Sequence, residues 1–233
     1  MDTRARDNAG SALQLTRPLP RLYLVSDDAV VSETGFMERA AAVLAEGRWH
    51  CALQLRAHGL TGERFFELAR HLRRITAETG SSLWINDRID VAMVVRADGV
   101  QLGHRSVGAD VARRLLGRTC WIGRSVHSAN EARWAGTDLM MLGNIYPTGS
   151  HPGREPLGLD ELRRATFGGR PIMAIGGITP ERVAEVVQSG AWGVAVLSGV
   201  WQANDAAAAV REYLSALDAA VIRPAGSDRA EDE

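Results

Sequence analysis

Short continuous apolar runs alternate with longer stretches whose apolar residues recur every three or four positions, from residue 21 to about residue 221. The runs lie at 21–26, 51–56, 82–86, 99–103, 120–126, 139–143, 171–176 and 193–198. Their length and unbroken apolarity predict strands of a parallel sheet buried on both faces. Helical spacing places Phe36, Ala40, Val43 and Leu44 on one face of a helix over 36–47, with Gly47 as its stop. A second helix over 61–78 starts at Thr61 as N-cap and buries Phe65, Leu68, Ala69 and Leu72. Further helices are predicted over 128–135 after Ser128, over 180–188 after Thr179-Pro180, and over 205–218 from Asp205. Eight β/α pairs suit a closed barrel better than an open doubly wound sheet. The expected fold is α/β, a single-domain (β/α)8 TIM barrel over 21–221. A flexible N-terminal segment 1–20 and a disordered C-terminal tail 222–233 flank it.

Composition narrows the partners. The chain has 233 residues, 45% hydrophobic, and a formal net charge of −1. Such a balance gives no electrostatic reason to expect nucleic acid or an anionic membrane. No apolar run nears the roughly 18 residues of a membrane span. Both cysteines, Cys51 and Cys120, fall in strand-like runs, which predicts buried reduced thiols and a cytoplasmic protein.

Barrels of this kind place their sites where strands end and βα loops begin. Four constellations lie there. Gly176-Gly177 and Ser198-Gly199 follow the seventh and eighth strands, where backbone N–H groups and a short extra helix commonly take a phosphate. Asn86-Asp87-Arg88-Ile89-Asp90 follows the third strand; Asp87 is placed to cap the next helix, or with Asn86 to meet a metal or a heterocycle. His127 closes the fifth strand and can exchange a proton near neutral pH, or merely orient a loop. The stretch 143–158 exceeds the usual βα length and has the character of a lid; Thr148, Ser150, His151 and Arg154 are its candidate ligand contacts.

Taken together, Asn86-Asp87-Arg88-Ile89-Asp90-Val91-Ala92, Ala97-Asp98-Gly99-Val100-Gln101-Leu102-Gly103, Thr148-Gly149-Ser150-His151 and Ala174-Ile175-Gly176-Gly177-Ile178 resemble the thiamine phosphate synthase/TenI superfamily over roughly residues 21–202. The resemblance implies one of two activities. The synthase joins a pyrimidine diphosphate to a thiazole phosphate with Mg²⁺. The TenI branch aromatises a thiazole carboxylate phosphate by moving a proton. Three departures from the synthase pattern point to the second. Gln-x-Arg-x-Lys ends here in His58, the Asp of Gly-Gln-x-Asp is replaced by Ser106, and His151 stands at a lysine position of the sixth-strand loop. Departing diphosphate needs positive charge.

The expected protein is therefore a thiazole tautomerase, an isomerase without metal or cofactor. His127 is its acid/base, and Arg56, Asn86, Thr148, Ser150, Gly176, Gly177, Ser198 and Gly199 bind a phosphorylated thiazole. The alternatives are a divergent synthase that manages diphosphate with His58, His151 and Asp87, and a non-catalytic thiazole-phosphate binder. Assembly stays open, a homodimer being common in such families.

Overall fold

The computed structural model describes residues 18–134, 136–149 and 153–221. Eight parallel strands close into a barrel in sequence order: β1 (Leu22–Val25), β2 (Cys51–Leu55), β3 (Ser82–Asn86), β4 (Gly99–Leu102), β5 (Trp121–Val126), β6 (Leu139–Gly143), β7 (Ile172–Ile175) and β8 (Gly193–Val196). β8 returns to β1 with Leu22 opposite Val194. Each strand falls on a run expected from the sequence, because only a strand buried on both sides is apolar without interruption.

Ten α-helices surround the barrel among the described residues: α1 (Asp28–Ser32), α2 (Phe36–Gly47), α3 (Gly62–Thr79), α4 (Ile89–Val95), α5 (Ala109–Leu116), α6 (Ala129–Trp134), α7 (Gly158–Thr166), α8 (Val183–Gln188), α9 (Ser198–Trp201) and α10 (Ala206–Val221). The helix starts follow local chemistry. Thr61 Oγ1 accepts from Arg64 N, Ser128 Oγ from Glu131 N, and Asp205 Oδ1 from Ala208 N at 2.9 Å. Thr179 takes the extended cap conformation but makes no capping bond, and the next three residues form a 3₁₀ turn before α8.

α2 ends at Gly47, as expected, although Gly47 is not the positive-φ residue that usually follows a helix. The left-handed residue beyond it is Arg48, with φ 45°. Gly47 is small because a Cβ there would overlap the Sγ of buried Cys51. Cys51 and Cys120 are both buried and free, and burial pushes the Cys120 thiol up to about 12. No helix among the described residues is long and apolar enough to cross a membrane.

Alternation along the strands divides the core in two. Outward side chains such as Leu53, Leu83, Val100 and Ile122 pack under the helices. Inward ones, chiefly Tyr23, Ala52, Trp84, Leu139, Met141 and Met173, fill the barrel's lower half. Tyr23 and Trp84 meet edge to face, with centroids 5.0 Å apart. Gly99 lies against the Trp84 indole, where a Cβ would overlap the ring. Gly99→Ala is expected to cost about 1–3 kcal/mol by overpacking. Urea unfolding measures this, and an unchanged midpoint would mean the interior yields more than its packing implies.

Candidate active site

Above the aromatic plug the inward positions turn polar. Gln54 Nε2 donates to Asn86 Oδ1 and Gln101 Nε2 to Ser125 Oγ, each at 3.0 Å. Gln54, Asn86 and Gln101 are buried, and the Oε1 atoms of Gln54 and Gln101 and the Oδ1 of Asn144 have no partner among the described residues. A buried acceptor without a donor is costly, so these atoms favour a ligand or water that supplies one. Gln54 and Asn144 line a cavity of about 670 Å³ that opens at the barrel mouth. That volume suits a small molecule.

Asp87 ties two loops together beside this layer. Its Oδ1 accepts from Gly103 N at 2.7 Å and from the Ser106 hydroxyl, and its Oδ2 accepts from Asn86 Nδ2 at 2.7 Å. It does not cap α4 as expected. The N-cap there is Arg88, which has no side-chain capping bond. Asp87 has φ 59°, and this left-handed turn aims its carboxylate across to the β4 loop, away from the helix end. Asp90 does sit in the first turn of α4, and Arg88 grips it with Nε and Nη2.

The cavity has anion-binding chemistry at two ends. At the β7–β8 end, Gly176 (φ 100°) and Gly177 (φ 64°) turn the backbone in a way a side chain would oppose. A Cβ on Gly176 would stand 2.6 Å from Asn144 Cβ, and one on Gly177 would overlap the Pro147 carbonyl oxygen. Ser198 and Gly199 open the single turn of α9, the short helix expected after β8. Gly199 also answers to packing, because a Cβ would overlap the Tyr213 hydroxyl, which donates to Ile178 O at 2.8 Å.

The other end carries charge. Arg56 and His58 follow β2, His104 and Arg105 follow β4, and Arg154 comes from the β6–α7 loop. Asp28 holds the turn after β2 by accepting from Gly59 N at 2.7 Å and His58 N at 3.1 Å. The Gly59 bond is the main cause that holds its carboxyl below the usual range.

His127 lines the cavity at the end of β5, as expected. Its Nδ1 lies 3.1 Å from Gly143 O, and its backbone N donates to Glu131 Oε2 at 2.9 Å. With Nδ1–H given to that carbonyl, Nε2 is the ring's remaining polar atom.

The β6–α7 loop is pinned at its base. Ile145 N donates to Ile175 O, Tyr146 N to Gly176 O and Leu157 N to Asn144 O. The structure thus brings Arg56, Asn86, His127, Thr148, Gly176, Gly177, Ser198 and Gly199 around one cavity. The expected contacts Ser150 and His151 lie outside the described residues. Gln54, Arg105 and Arg182 join the lining without having been assigned from the sequence. For Gln54 a signal existed, since it is a polar residue inside an otherwise apolar strand.

The Mg²⁺ implied by the synthase resemblance meets a poor donor set here. Ser106 replaces the second carboxylate, both Asp87 oxygens are occupied by N–H and O–H donors, and no three His, Cys, Asp or Glu side chains gather among the described residues. These residues do not fit a two-carboxylate Mg²⁺ site.

Fold and mouth together define a (β/α)8 barrel whose mouth cavity is lined by arginines and by glycine turns. The sequence profile described as thiamine monophosphate synthase matches residues 22–200. A thiamine-phosphate synthase of Moorella thermoacetica is 38% identical over 195 residues, 82% of this chain and 92% of that protein. One from Natronomonas pharaonis is 39% identical over 173 residues, 71% of this chain and 81% of that protein. The solved thiamine phosphate pyrophosphorylase from Pyrococcus furiosus superposes with a TM-score of 0.76 at 31% identity, covering 86% of this chain and 96% of that one. The chain belongs to the thiamine monophosphate synthase family.

These relatives overturn the expected tautomerase, and with it the isomerase assignment, because curated relatives at 35–39% identity carry the synthase name. The expectation failed on charge. It treated missing lysines as missing positive potential, yet Arg56, Arg105 and Arg154 converge on the mouth, and a guanidinium binds phosphate oxygens two at a time.

Proposed function

We propose that this protein is a transferase that joins a pyrimidine methyl diphosphate to a thiazole phosphate, giving thiamine phosphate and free diphosphate. A C–N bond forms between the thiazole nitrogen and the pyrimidine's exocyclic carbon as the C–O bond to diphosphate breaks. The observation that carries this reading is one cavity with glycine turns at its β7–β8 end and arginines at the other, which suits two anionic substrates. The thiazole phosphate docks on the backbone of Gly176-Gly177 and Ser198-Gly199.

Arg56, His58, Arg105 and Arg154 face the diphosphate and stabilise the charge that grows as it departs. Gln54 Oε1, buried and unpartnered, accepts from an amino group on the pyrimidine. Thr148 donates a hydrogen bond from the loop above the cavity. His127 Nε2 and the Asn86 amide hold the rings in line, and this positioning removes much of the entropic barrier. The reading rests on these side chains, and no step of it passes through a metal.

The test is direct. Purified protein mixed with the pyrimidine diphosphate and thiazole phosphate, in buffer containing Mg²⁺, is expected to yield thiamine phosphate and diphosphate in equal amounts. Chromatography and a diphosphate assay read both products. Folded protein that binds both substrates and yields neither product would sink the proposal.

A further inference from the structure

The β7–β8 end of the cavity has a feature that a backbone cradle does not explain. Among the described residues lining that end, Gly176, Gly177, Thr179, Ser198 and Gly199 are uncharged, and Arg182 is the one ionised side chain. The remaining charged lining residues come from the loops after β2 to β6. Arg182 lies in the 3₁₀ turn after Thr179. It forms no salt bridge with any described carboxylate.

Its guanidinium is nonetheless held in place. Nη1 donates to Gly177 O at 2.6 Å, and the guanidinium carbon lies 4.5 Å from the centroid of the Tyr146 ring. Tyr146 is itself fixed, because its hydroxyl donates to Glu185 Oε1 at 2.5 Å. Burial, then the Glu185 carboxylate, push the Tyr146 phenol up to about 12, so it stays a donor across the range in which the protein would be assayed.

We infer that Arg182 supplies the positive charge that reads the phosphoryl group of the substrate, and that Tyr146 is its positioning residue. A phosphate monoester carries close to two negative charges at neutral pH. Backbone amides satisfy its oxygens but do not neutralise it, and α9, with four residues, is too short to build a macrodipole. An arginine already oriented by an aromatic face and a carbonyl loses little freedom on binding. Four of its five N–H donors remain for the ligand. Arg182 therefore makes the site choose a phosphate ester over the matching alcohol. Tyr146 belongs to the β6–α7 loop, so the same contact links the phosphate end to the loop that bears Thr148 and Arg154.

The inference rests on the proposed reading for the ligand's identity but is tested by binding rather than turnover. Thiazole phosphate, the unphosphorylated thiazole alcohol and inorganic phosphate are each titrated calorimetrically into the full chain. Arg182→Ala is expected to weaken the ester and inorganic phosphate by about 10- to 100-fold, the scale of a lost charged hydrogen bond, and to leave the alcohol within about twofold. Arg182→Lys should restore part of the loss. Tyr146→Leu should weaken the ester alone by about two- to fivefold, the scale of an exposed cation–π contact. Arg182 is exposed, so these variants are expected to fold, and Arg182→Gln serves if alanine does not.

Equal weakening of ester and alcohol, or no weakening of either, would overturn the role. If the wild-type protein ignores the thiazole ligands yet binds inorganic phosphate through Arg182, the proposed reaction fails while this inference stands.

Discussion

Replacing Gly177 by alanine is expected to raise the KM for thiazole phosphate by about 100-fold or more, a loss near 3 kcal/mol of binding. The reason is geometric. Gly177 sits at φ 64°, where an L side chain costs roughly 1–2 kcal/mol. Its new Cβ would also overlap the Pro147 carbonyl oxygen and stand 2.8 Å from Tyr146 Cβ. Either the turn after β7 or the base of the β6–α7 loop must move, and the phosphate cradle lies between them. Stability should fall by about 2–4 kcal/mol from the left-handed strain and the overpacking together. Steady-state kinetics at varied thiazole phosphate and a urea titration check the two effects separately. Wild-type affinity in a folded Gly177→Ala protein would show that the phosphate binds elsewhere.

Asp87→Asn is expected to lower turnover by about 10²-fold, the scale of misplacing a substrate-positioning group by about 1 Å. The side chain keeps its shape, and asparagine tolerates the left-handed φ that Asp87 adopts. What changes is hydrogen-bond polarity. Asp87 accepts from Gly103 N, the Ser106 hydroxyl and Asn86 Nδ2, and an amide presents a donor to at least one of them. One half-buried contact then turns repulsive, at about 1–3 kcal/mol. The tie between β3 and the loop after β4, which carries His104 and Arg105 into the mouth, is then weakened or turned. Measuring kcat and unfolding together decides the matter. Full turnover in a destabilised variant would confine Asp87 to a structural role.

The barrel was legible because each strand is buried on both faces and therefore reads as an unbroken apolar run. Gly176-Gly177 was legible because tight backbone turns need that residue. What the runs could not convey is convergence. Arg56, Arg105, Arg154 and Arg182 are far apart in the chain and meet only through closure of the barrel.

Asp87 was misassigned for a related reason. Its helix-capping position is local, but its partners Gly103 and Ser106 lie 16 and 19 residues away. The functional error had a correctable source in the composition. All 27 basic residues other than histidine are arginine, and the chain contains no lysine. The absence of lysine itself is therefore a chain-wide usage, although histidine and not arginine stands at positions 58 and 151.

The plug of Tyr23, Trp84 and their neighbours makes the barrel a blind vessel. Nothing that enters at the mouth can drain through the bottom. On the proposed reaction, a product seated against β7 and β8 would have to retreat past the same rim of arginines that meets incoming diphosphate, so arrival and departure would share a single doorway. Thr148 and Arg154, both from the β6–α7 connection, line that doorway.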